Sequence, residues 1–321
     1  MDRKEFSSAL AEDVKFTLGQ KGIEVETSVN TIDKLNGSYE ALVIATSDGN
    51  TSMGACLRLE PFWESYDSGT EYKEVLRGAI DAAMSGIKSG PPKETADILR
   101  EYSKIKDHLY LQVVSAETNK ELLKDVPHWD IEDMAVVCRV IISSDETGSA
   151  TCLLTSRHLE VMGITPEQLF ADAIESAPVV KPIKIQGMSE ILTEIFGVDQ
   201  AKVMGIVPEG PEQLYVAGVP DKIYGAGVLA YPGFFEQAAK RLGGDFYVLP
   251  SSVHEVLLYP DQGRDCLNEF ETMVKDVNAK AVKPEDRLTN NVYHYDHVAG
   301  VFELGRKFAA RRADEAMAIA E

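Results

Sequence analysis

The chain lacks any apolar run of the roughly 20 residues a bilayer span requires, so no membrane is expected among its partners. Its opening, MDRKEFSSALAEDV, is charged and helical in pattern, without an apolar signal segment. Cysteine is scarce: Cys56, Cys138, Cys152 and Cys266 are scattered, with no C-x-x-C spacing. That pattern suits free thiols in a reducing cytoplasm better than a disulfide framework, and it lacks the ligand spacing of a zinc site. Neither G-x-x-x-x-G-K-[ST] nor G-x-G-x-x-G occurs, so no loop is expected to cradle a nucleotide phosphate and no cofactor is expected. A G-x-S-x-G turn to expose a nucleophilic serine is missing as well. Positive charge is short: 32 Lys and Arg face 52 Asp and Glu, a formal charge of −20. Such a surface repels phosphate backbones, so nucleic acid is not an expected partner.

What is present is an ordinary globular composition, 44% hydrophobic and 26% charged over 321 residues, enough for a core in one or two domains. Phe6, Leu10, Val14 and Leu18 recur at helical spacing before Gly19 and Gly22. Strand patterns follow at 23–33, 39–46 and 51–60, joined by Leu35-Asn36-Gly37 and Asp48-Gly49-Asn50 turns. A helix over 70–87 stops at Ser89-Gly90-Pro91-Pro92. Beyond a short helix at 94–106, strands at 109–115, 134–143 and 149–155 precede a helix from Pro166, which Thr165 caps. Residues 177–212 are the least regular part, punctuated by prolines, with one short amphipathic helix expected at 189–196. Strands are then expected at 213–219, 223–230 and within 245–260, helices at 233–242 and 265–278, short strands at Tyr293 and Val301, and a last helix over 306–321. That helix runs from basic to acidic, against its own dipole, and needs docking to avoid fraying. The fold class expected is α+β, with antiparallel or mixed sheets built from hairpins and flanked by helices. The divisions expected are an N-terminal α+β block at 1–90, a C-terminal α+β domain at 93–305, and the helix 306–321.

Chemistry concentrates in DFYVLPSSVHEVLLYP, residues 245–260, where Ser251, Ser252, His254 and Glu255 fall within five residues. A serine nucleophile needs an imidazole base oriented by a carboxylate, and Ser252, His254 and Glu255 supply the residue types for a catalytic set. On a strand His254 and Glu255 point to opposite faces, which favours a turn with its hydroxyls bonded to local backbone. In Tyr293-His294-Tyr295-Asp296-His297, His294 and Asp296 share one face of a strand. Together with His254 they form a candidate metal set. Phe62, Trp63 and Tyr66, flanked by Glu60, Glu64 and Asp67, form an aromatic and acidic patch in an expected loop, a candidate binding surface for a protein partner, with a cap over the sheet edge as the alternative. Tyr224-Gly225-Ala226-Gly227 lies within a strand pattern, and its glycines are read as allowing close backbone approach.

Leu249-Pro250-Ser251-Ser252-Val253-His254-Glu255-Val256, then Met273-Val274-Lys275-Asp276-Val277-Asn278, then Val292-Tyr293-His294-Tyr295-Asp296 together resemble an uncharacterised bacterial family, a domain of unknown function. The resemblance is strongest over 150–300. It implies an intracellular α+β protein and carries no activity, substrate or cofactor. Since no catalytic motif is complete, the leading expectation is a soluble cytoplasmic non-enzymatic binding or accessory protein with an acidic, partly aromatic surface. The alternative is a hydrolase centred on Ser252 and His254, with metal assistance from His294 and Asp296.

Overall fold

The computed structural model of the protein describes residues 1–47, 52–88, 98–145, 148–206, 211–250, 252–264 and 266–320. It is α+β, with antiparallel sheets and flanking helices, as the hairpin spacing predicts. The chain forms two compact units, Met1–Asp97 and Ile98–Glu321.

In the first unit, α1 (Arg3–Gln20) begins at a capping box: the Glu5 amide donates to the Asp2 carboxylate at 2.8 Å, and the Asp2 amide to that of Glu5 at 3.0 Å. β1 (Val25–Lys34), β2 (Gly37–Ser47) and β3 (Ser52–Arg58) form an antiparallel meander. Leu35 and Asn36 make the first turn, Asn36 at a φ of 62°. The expected turn at Asp48-Gly49-Asn50 and the stop at 89–92 lie outside the described residues. α2 (Glu60–Asp67) and α3 (Tyr72–Lys88) complete the unit, whose core joins Phe6, Leu10 and Val14 to Leu42, Ile44, Val75 and Ala79.

The second unit holds two antiparallel sheets. In the smaller, β6 (Met134–Asp145) is central. β4 (Leu109–Ser115) lies on one side of it; β5 (His128–Ile131) and β7 (Gly148–Leu153) share the other. The larger sheet has the order β13-β12-β10-β11-β9-β8. Its strands are β8 (Lys184–Gly187), β9 (Tyr215–Gly218), β10 (Phe246–Leu249), β11 (Val256–Pro260), β12 (Tyr293–Asp296) and β13 (Val301–Leu304). One face carries Ala217, Val248, Val256 and Tyr293 into a core shared with Leu111, Val136 and Cys138 of the smaller sheet.

The helices of this unit are α4 (Tyr102–Ile105), α5 (Ser156–Met162), α6 (Pro166–Val180), α7 (Met188–Phe196), α8 (Val198–Val203), α9 (Phe234–Leu242), α10 (Leu267–Lys280) and α11 (Gly305–Ala320). Thr165 caps α6 as its sequence predicts, accepting from the Gln168 amide at 3.3 Å. α11 docks through its first turns: Phe308 is buried, Arg306 binds Glu271, and Arg311 bridges Glu303 and Asp296.

Three expectations are corrected here. Residues 223–230 are not a strand: Gly225–Ala230 is a 3-10 helix that crosses β4 at backbone contact. A Cβ at Gly227 would lie 2.1 Å from the Leu111 carbonyl oxygen, and one at Gly225 2.3 Å from that of His254. The glycines thus permit close approach, in a different element. Second, β11 starts at Val256, so His254 and Glu255 lie in the bend before it and pleat alternation does not separate them. Third, Phe62, Trp63 and Tyr66 ride on α2 and are half-buried, not displayed on a loop. Phe6 stacks on Tyr66 at 5.1 Å and meets the Trp63 edge at 5.4 Å. The amphipathic register of Glu60–Asp67 turns the rings inward and leaves Glu60, Glu64 and Asp67 in water.

Candidate functional site

The corner between β10 and β11 is knotted by its own backbone and by two distant segments. The Ser252 amide donates to the Glu255 carbonyl at 3.3 Å, while the Ser252 Oγ accepts from the His254 amide at 3.0 Å, a serine turn. The Val253 amide donates to the Asp286 carbonyl at 2.9 Å, and the Ala226 amide to the Val253 carbonyl at 3.2 Å. Val253 itself is buried. Ser251 lies outside the described residues.

These contacts fix the imidazole of His254. Its Nδ1 accepts from the Tyr224 amide at 3.2 Å, which places the ring proton on Nε2, 3.1 Å from Asp286 Oδ1. Tyr224, in the left-handed region at a φ of 57°, aims its amide at the ring while its own ring stacks on the imidazole at 5.6 Å. The Arg139 guanidinium also lies over the Tyr224 ring, 5.0 Å from its centroid. The guanidinium is held by Tyr110 Oη at 3.1 Å and Thr151 Oγ1 at 2.9 Å. Burial pushes the Tyr110 phenol upward, so it stays protonated beside that cation. The carboxylate that orients His254 is therefore Asp286, not Glu255. Ser252 reaches the backbone of His254 and not its ring. Nothing local in the sequence marks Asp286 or Tyr224 as partners; they lie 32 and 30 residues from His254.

Beside the corner is a cavity of about 250 Å³ on the outer face of β8 and β9, walled by α7. His254 and Glu255 line it with Lys184, Gln186, Glu194 and Lys222 over Val216 and Gly218. A buried lysine holds the rim. Lys181, 5% exposed, lies under the turn at 219–224, bridging Asp221 at 2.5 Å and donating to the Ile223 carbonyl at 3.0 Å. Glu212 fixes the start of α7, accepting from the Ser189 amide at 3.0 Å and from its hydroxyl.

The metal set does not assemble. Among the described residues no group of three or more His, Cys, Asp or Glu side chains is placed to hold an ion. His294 and Asp296 do share a face of β12, as the strand period predicts, but that face lies under α11. Asp296 accepts from the Val298 and Ala299 amides and from Arg311, and these hold its carboxyl below the usual range. His294, fully buried, points Nε2 at Asp261 from 3.0 Å and stacks on Phe308 at 3.5 Å; its Nδ1 has no hydrogen-bond partner among the described residues. The β12 neighbours Tyr293 and Tyr295 pack into the core.

Residues 3–297 match the model of a family of unknown function, DUF5688, and the chain belongs to that family. The match includes the first unit as well as the corner and both of its distant partners. No curated protein and no solved structure matches the chain.

Proposed function

We propose that this protein works by binding, as a non-enzymatic binding or accessory protein, and that the Ser252–His254 corner serves to build its cavity. One observation carries this reading: both ring nitrogens of His254 are engaged, Nδ1 by a backbone amide and Nε2 by Asp286. A general base must present a free nitrogen to the proton it removes. Here the Nδ1 lone pair already accepts a hydrogen bond from the Tyr224 amide, and the Ser252 Oγ accepts from the His254 amide within the turn. Incubation of the folded protein with a fluorophosphonate probe tests this, with Ser252→Ala as control. No adduct on Ser252 is expected; a stoichiometric adduct, absent from the control, would restore the hydrolase.

The partner-facing part of the proposal is α2. The charge of −20 suits a basic protein partner, and the exposed Glu60, Glu64 and Asp67 rise from a half-buried base of Phe62, Trp63 and Tyr66. Cross-linking in host lysate is expected to capture a partner with the native chain and to lose it when the three acids are reversed to lysine. Identical cross-links from both chains would overturn the acidic surface.

A further inference from the structure

Resting on the binding reading above, we propose that the cavity beside His254 takes a small zwitterion, an aliphatic α-amino acid. Its charges carry the inference. Lys184 and Lys222 bring two ammonium groups to one cavity, and Glu194 and Glu255 bring two carboxylates. Yet no lysine pairs with either glutamate: the exposed ammonium groups of Lys184 and Lys222 have no ion-pair or hydrogen-bond partner among the described residues, and neither does the carboxylate of the half-buried Glu255. Among the described residues Glu194 accepts only from Gln186, at 2.8 Å.

Opposite charges held apart around one hollow leave their hydrogen-bonding capacity to a guest. Lys184, Lys222 and Glu194 are exposed and Glu255 is half-buried, so water serves them when no guest is bound; a phosphate would face two carboxylates, a polyamine two ammonium groups, and a neutral sugar would match neither sign. A zwitterion meets both signs. Its carboxylate is suited to the lysines and its ammonium to Glu255. The cavity also has an apolar lining, Val216 of the sheet and Met188, Ile191 and Ile195 of α7. Gly218 adds no side chain to the lining. At about 250 Å³ the cavity falls below the roughly 300–1,000 Å³ of sites for drug-sized ligands. That size favours a single amino acid over a peptide.

Calorimetric titration of the full chain with L-leucine is the test. Saturable binding is expected below about 10 mM. Leucinamide lacks the carboxylate and 4-methylpentanoate lacks the ammonium; each should bind about tenfold more weakly than leucine. Glu255→Gln, Lys184→Met and Lys222→Met remove groups that bond nothing else described, so each should weaken leucine binding about tenfold with the melting temperature unchanged. Absence of saturation, equal affinity for the three compounds, indifference to all three substitutions, or tighter binding of Leu-Leu than of leucine would each overturn the proposal. Failure here leaves the binding reading standing if the fluorophosphonate probe spares Ser252, whereas a Ser252 adduct sinks that reading whatever the titration gives.

Discussion

Two of the imidazole–carboxylate pairs in the second unit have nearly equal lengths, His254–Asp286 at 3.1 Å and His294–Asp261 at 3.0 Å, and they do opposite things. At the β10–β11 corner the imidazole and its acid are 34% and 32% exposed, and the second ring nitrogen is bonded to the backbone. Under α11 the imidazole is 0% exposed, and its second nitrogen has no described partner. The first pair joins three segments of chain at the edge of a hollow. The second fills the space between Tyr247 and Phe308, where packing and the single bond to Asp261 must offset an unsatisfied nitrogen. What separates them is desolvation, which makes the buried pair costly to break and the half-exposed one cheap.

That contrast is broken or sharpened first by His294→Ala. It removes the Phe308 stack and leaves the Asp261 carboxylate with the Gly263 amide alone as its hydrogen-bond donor among the described residues, so a loss of about 3 kcal/mol is expected, read from urea unfolding. His254→Ala leaves Asp286 a third exposed and able to rehydrate, and should cost about 1.5 kcal/mol. Equal losses for the two variants would show that burial does not distinguish the pairs.

Acid sharpens the contrast further. The hydrogen bond from His294, ahead of every other influence, holds the Asp261 carboxyl below its ordinary value. A folded carboxyl with a depressed value stabilises the fold fully above its unfolded titration point. That contribution is lost as pH falls below about 4, through the folded value. Asp261→Asn should flatten this part of the acid limb, and an unchanged slope between about pH 5 and about pH 2 would remove the pair from the account. Ser252→Ala completes the series with a loss of about 0.5 kcal/mol, because only one turn bond at a half-exposed corner disappears.

The sequence makes legible what depends on neighbours along the chain. Asn36 announces the first hairpin, Thr165 the start of α6, and the alternation of Tyr293, His294, Tyr295 and Asp296 the two faces of β12. Strands such as HWDI and KIQG escape notice because each is four residues long and carries polar groups into its pairing. Residues 223–230 read as strand because they are apolar; contact with β4 instead winds them into a 3-10 helix. The same holds for the site. Residue types mark the corner as chemically rich, but the commitment of each His254 nitrogen is set by Tyr224 and Asp286, which only the folded chain brings there.

The squeeze of Gly227 against Leu111 and of Gly225 against His254 bears on how relatives of this chain should be compared. Glycine recurring at these two columns of an alignment would reflect lack of room for a methyl group, not participation in chemistry. Maps of mutational tolerance should score both positions as severe even if they never meet a ligand. A search for functional residues in the family does better to discount them and to weigh Glu255, Lys184 and Lys222, whose charged ends bond nothing else among the described residues.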